Sequence, residues 1–84
     1  MWIPYKYNII VKPKLKDDIL AGDAKYESYG EVIAIGSKVD PNDINVGDTV
    51  GFDSFGIKEI PKDGESIFVF KDDSDFILAI EKKQ

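Results

Sequence analysis

The chain has 84 residues, a net charge of −5, no cysteine and no histidine, and all of its basic residues are lysine. This length suits one small domain over residues 1–84, and the composition excludes disulfides and ordinary Cys/His zinc sites. The acidic balance argues against nucleic acid and membrane surfaces as partners, since both attract basic chains.

A core of this size supplies roughly 3–5 kcal/mol by itself, so association between subunits is the expected extra source of stability. No apolar run approaches the length of a membrane span. The first residues, MWIPYKYNII, lack a basic segment followed by an apolar one, so a cytoplasmic protein is expected.

Tyr5 to Lys12, YKYNIIVK, is rich in aromatic and β-branched residues and reads as a first strand that Pro13 ends. A long polar segment, about residues 14–29, follows. It holds one apolar cluster, Ile19-Leu20-Ala21, between Asp17-Asp18 and Gly22-Asp23. Glu31 to Ile35, EVIAI, alternates loosely between Gly30 and Gly36 and reads as the next strand.

SKVDPNDINVGD is a turn-rich connection centred on Pro41-Asn42-Asp43. Asp48 to Asp53 reads as a strand in which Gly51 marks a bend or bulge. IKEI and SIFVF flank a Lys62-Asp63-Gly64 turn, a strong hairpin signal. Lys71 to Asp75 is a polar corner with room for one helical turn. Phe76 to Ile80, FILAI, is a last short strand, and EKKQ is expected to fray. The predicted fold class is all-β, with five to seven strands curled into one small barrel.

Catalysis finds little support. The common general base and the thiol nucleophile are missing. Asp17-Asp18 and Asp72-Asp73 read as solvated turn residues, and DDSD lacks the spacing of a calcium loop. No Gly-rich phosphate loop is present, so no nucleotide or other cofactor is expected. The aromatics could form a stacking platform for bases, but that arrangement calls for interleaved cations. Packing in a core or at a subunit interface fits the acidic surroundings better.

The order of segments resembles the GroES-like cochaperonins over nearly the whole chain. IPYKYNIIVKP is similar to that family's first strand, GEVIAIG to its Gly-Glu-Val strand, and VGDTVGF to its V-G-D-x-V-x-F segment. Phe55-Gly56 stands where the family often has Tyr-Gly, and SDFILAIE resembles its closing S-D-I-L-A-I. The resemblance implies a non-enzymatic lid for a GroEL-type chaperonin, acting on unfolded client proteins in ATP-dependent folding. The polar segment would be a mobile loop whose Ile19, Leu20 and Ala21 dock on the chaperonin. The alternative is that Ile19 and Leu20 cover the chain's own core.

The same resemblance implies a heptamer in which Trp2 to Ile10 of one subunit pairs with Phe76 to Ile80 of the next. Trp2, Ile3, Tyr5, Tyr7, Ile77, Leu78, Ala79 and Ile80 would line that interface, although burial of FILAI in its own barrel reads equally well. Phe55 would face the cavity, whose wall is expected to be acidic.

Departures from the family pattern are Ala21 in place of Leu, Asp17-Asp18 in place of Gly-Gly, a slightly short loop, and a reduced roof connection at about 37–46. Variation of this kind suits a phage-encoded member acting in a host cytoplasm. Two other readings stay open. One is a GroES-fold structural or viral assembly subunit, and the other is a small SH3-like or OB-like binding domain.

Overall fold

Buried β-branched and aromatic runs in this chain find one another as antiparallel ladders. In the computed structural model, which describes residues 2–16, 26–53, 58–62 and 65–83, six strands form one sheet. They are β1 (Asn8–Leu15), β2 (Tyr26–Ile35), β3 (Thr49–Phe52), β4 (Lys58–Lys62), β5 (Glu65–Lys71) and β6 (Ile77–Glu81). The order across the sheet is β4-β5-β1-β2-β3-β6, and every pairing is antiparallel.

The sheet curls into a barrel. Two strands, β1 and β2, separate Phe52 of β3 from Phe68 and Phe70 of β5 in the ladder, yet the Phe52 ring centroid lies 5.6 and 5.2 Å from theirs. Ile9, Val11, Val32, Val39, Ile44 and Val50 complete the core around these rings. Tyr26 sets its ring edge-on against Phe68 at 5.4 Å. Such aromatic pairs contribute about 0.5–1.5 kcal/mol beyond their burial.

Two β-bulges explain why the strand patterns alternate only loosely. Ile10 faces Ala34 and Val11 faces Val32, which leaves Ile33 as an extra residue in β2. Val32 and Ile35 therefore both reach the core while Ile33 stays exposed. In β6, Gly51 faces Ala79 and Phe52 faces Ile77, so Leu78 is the extra residue. The irregularity expected at Gly51 falls at this step. An inserted residue bends its strand and turns the following side chains to the other face.

Several sequence expectations need correction. Pro13 does not end the first strand: β1 continues to Leu15, with Pro13 opposite Gly30. Proline is tolerated because β5 pairs with β1 only over Asn8 to Val11, so beyond Val11 the ladder partner is β2 alone. Nor does the strand begin at Tyr5, because Tyr5 to Asn8 is a turn closed by Asn8 N–H donating to the Tyr5 carbonyl at 3.0 Å. Lys14 and Leu15 belong to β1 and Tyr26 to Tyr29 to β2, so the hairpin extends into both ends of the segment expected as loop. Ile19, Leu20, Ala21 and Phe55 lie outside the described residues.

The Lys71–Asp75 corner is a pair of turns rather than a helix. Ser74 N–H donates to Lys71 and Ile77 N–H to Ser74, both at 3.1 Å. The hairpin around Asp63-Gly64 is as expected on its flanks, where Lys62 faces Glu65. Among the described residues, no helix is long and apolar enough to cross a membrane.

Residues 36–48, between β2 and β3, contain turns and no strand. Val39 and Ile44 plug this connection into the core. Asp40 organises it: its carboxylate accepts from Asn42 N–H at 2.9 Å, and its carbonyl accepts from Asp43 and Ile44.

Candidate functional site

The exposed apolar residues concentrate at the two ends of the chain. Trp2, Ile3, Tyr5 and Tyr7 form an N-terminal arm, with Ile3 84% exposed. At the other end β6 is an edge strand. One side pairs with β3, and no strand lies on the other side among the described residues. Leu78, on its bulge, is 67% exposed; Ala79 is exposed and Ile80 lies on the rim. Of FILAI, only Ile77 turns inward and packs on the core. Ile9 and Ile10 are buried within the sheet, so the accessible part of the first segment is Trp2 to Tyr7. Within one chain the arm and β6 do not pair.

The arm leaves the barrel through a constrained turn. Lys6 has φ of +52°, a left-handed conformation that a non-glycine residue adopts at a cost of about 1–2 kcal/mol. Neighbours hold it there. Lys38 N–H donates to the Lys6 carbonyl at 3.0 Å, and Gly36 N–H donates to the Asn8 carbonyl at 2.8 Å. Asp72 N–H donates to the Tyr7 carbonyl at 2.8 Å. A Cβ at position 36 would stand 2.1 Å from the Lys6 carbonyl oxygen, so only glycine allows this approach. The Lys6 ammonium lies 5.1 Å from the Tyr5 ring centre and that of Lys38 lies 5.7 Å from Tyr7.

The C-terminal strand is held differently. Asp48, only 2% exposed, receives three hydrogen bonds. Its Oδ1 accepts from Lys83 N–H at 2.9 Å. Its Oδ2 accepts from Asn45 N–H at 2.9 Å and from the Lys82 ammonium at 2.6 Å. The Lys82 ammonium also donates to the Asp43 carbonyl at 3.2 Å. The bond from Lys82, then those from Lys83 and Asn45, pull the Asp48 carboxyl from the ordinary 3.8 down to about 2. Gly47, with φ of +96°, lies so close to Lys83 that a side chain there would meet it.

The expected fraying after Glu81 is therefore corrected, because Lys82 and Lys83 are clamped. Sequence reasoning passed over Asp48, Lys82 and Gly36. The available signal was Gly47-Asp48 inside VGD, where a left-handed glycine precedes a carboxylate.

An open groove of about 500 Å³ lies beside Lys12, Lys14, Tyr29, Glu31, Ile33 and Thr49. Among the described residues, no three acidic side chains gather where they could hold a cation.

Comparison of the sequence with known proteins finds a family. A model of the chaperonin 10 kDa subunit family matches residues 4–80. The co-chaperonin GroES of Glaesserella parasuis serovar 5 is 39% identical over 70 residues, covering 74% of this chain and 72% of the relative. The co-chaperonin GroES of Sulfurovum sp. is 41% identical over 63 residues, covering 74% and 71%. The match runs from Pro4, within the arm, to Ile80 in β6, and the chain belongs to the chaperonin 10 kDa subunit family, the GroES-like cochaperonins.

Proposed function

We propose that this protein is a ring-forming lid for a GroEL-type chaperonin, assisting ATP-dependent folding of client proteins without enzymatic activity or a cofactor of its own. The observation that carries the reading is the family match across residues 4–80 of a chain whose two ends are exposed and apolar. Arm and edge strand are complementary in kind: one is an exposed, largely apolar segment, the other a β-edge. A second copy of the chain satisfies both, with Trp2, Ile3, Tyr5 and Tyr7 meeting Leu78, Ala79 and Ile80, and with Ile77 supporting the strand from below. Repetition of this contact gives a closed ring, proposed as a heptamer, and consumes an edge that otherwise pairs indiscriminately.

Docking is assigned to Ile19, Leu20 and Ala21 in a mobile loop. Burying each large apolar side chain contributes roughly 1.5–3 kcal/mol before ordering costs, so one loop binds weakly and several on one ring bind through effective concentration. Ala21 weakens each contact, and Asp17-Asp18 favour a groove bearing basic residues. Phe55 is assigned to the cavity wall, and the short 36–48 connection to a reduced roof.

Native mass spectrometry combined with trypsin digestion tests this. We expect a ring near seven subunits, cut after Lys16 or Lys25 when free and protected there with a bacterial chaperonin and nucleotide. A ring that stays cleavable in the mixture rejects docking on that chaperonin and favours a structural assembly subunit. A monomer rejects the ring.

A further inference from the structure

Both candidate assembly elements are fastened to the same short connection. Its first residues hold the base of the arm, through Gly36 and Lys38 to the Asn8 and Lys6 carbonyls. Its last residues hold the end of β6, through Asp48, Asn45 and the Asp43 carbonyl to Lys82 and Lys83. Between these points Val39 and Ile44, both nearly fully buried, pin the connection to the core. Gly47 N–H to the Val32 carbonyl at 2.9 Å and Val32 N–H to the Asp48 carbonyl at 2.8 Å tie its end to β2.

We infer that residues 36–48 act as a two-ended brace that sets the arm and β6 at a fixed angle before subunits meet, with Gly36, Asp48 and Lys82 as positioning residues for assembly with a second copy of this chain. The inference rests on the ring-forming reading above. Its physical basis is the geometry of head-to-tail contacts. When one surface is given and a different one received, the rotation between them decides whether the assembly closes or runs on open. The ladder with β3 aligns β6 itself, but an arm and a strand end left on independent tethers sample many rotations, and each contact then costs more entropy. Tied to one rigid connection, they present a single rotation. The clamp on β6 is the adjustable half, because it depends on one side-chain carboxylate and one ammonium on an otherwise exposed strand end.

The test uses the full chain with Asp48→Asn, Lys82→Met and, as control, Asp73→Asn on the exposed corner. Lys82→Met leaves the Asp48 carboxylate with both backbone donors, so it keeps the question open to experiment if Asp48→Asn does not fold. Native mass spectrometry reads the distribution of ring sizes, exchange of isotope-labelled subunits reads contact lifetime, and far-UV circular dichroism reads the fold. Loss of a charge-assisted hydrogen bond predicts exchange faster by about tenfold, with a broadened or open-ended size distribution and an unchanged far-UV spectrum. The control should match wild type.

A wild-type ring with clamp variants of unchanged size and exchange overturns the brace and leaves the ring-forming reading standing. A monomeric wild type overturns the ring-forming reading, and the brace with it.

Discussion

The two ends of this chain are held by opposite means. The arm is fixed by backbone hydrogen bonds and by the absence of a side chain at Gly36. The end of β6 is fixed by charge: one carboxylate, one ammonium and two backbone donors. Steric fixing is indifferent to pH and salt but cannot tolerate an added atom. Electrostatic fixing tolerates changes of shape but fails when a proton arrives. The chain thus has one end that only mutation loosens and one that solution conditions loosen.

The largest expected effect strikes the steric end. Gly36→Val places a branched side chain against the Lys6 carbonyl, where backbone cannot step aside. A loss of about 3 kcal/mol is expected, the upper range for overpacking, read by denaturant unfolding. Emission from Trp2, the chain's one tryptophan, should change with it. The second test compares neighbours on β6. Ile77→Ala should cost about 2 kcal/mol in unfolding of the subunit, because Ile77 packs on the core. Leu78→Ala should cost under about 0.5 kcal/mol there, yet weaken subunit association more than Ile77→Ala does.

The third contrast is fullest at neutral pH and closes in acid. The folded-state value of the Asp48 carboxyl lies below its ordinary 3.8, so its stabilisation is complete above that pH and drains away as pH falls towards about 2. Circular dichroism against pH should show that loss in wild type and a flatter acid limb in Asp48→Asn. An identical limb in both would remove Asp48 from the acid response.

Much of this architecture was legible in order and periodicity. The apolar runs of β1, β5 and β6 and the Asp63-Gly64 hairpin signal are local patterns, and they led to an all-β barrel. What was not legible is non-local. Whether Pro13 ends a strand depends on where β5 stops pairing, a fact located more than fifty residues away in the chain. Tyr26 reads as a loop residue until Phe68 supplies the ring against which it packs. Asp48 and Lys82 are 34 residues apart, and no short-range pattern distinguishes that pair from the chain's many surface charges. The segment with Ile19, Leu20 and Ala21 was legible only as an apolar cluster in polar surroundings, together with its family resemblance.

The extra residue at Leu78 has one more consequence. Removing it would leave Ile77 opposite Phe52 and Ala79 opposite Gly51 as before, because the ladder would become regular. The strand would also become straight and flat, the form of edge that recruits unrelated strands and seeds fibrils. A single surplus leucine thus separates an edge that accepts one shape of neighbour from one prone to aggregation, and in-frame deletions here would be selected against for solubility before any loss of fold.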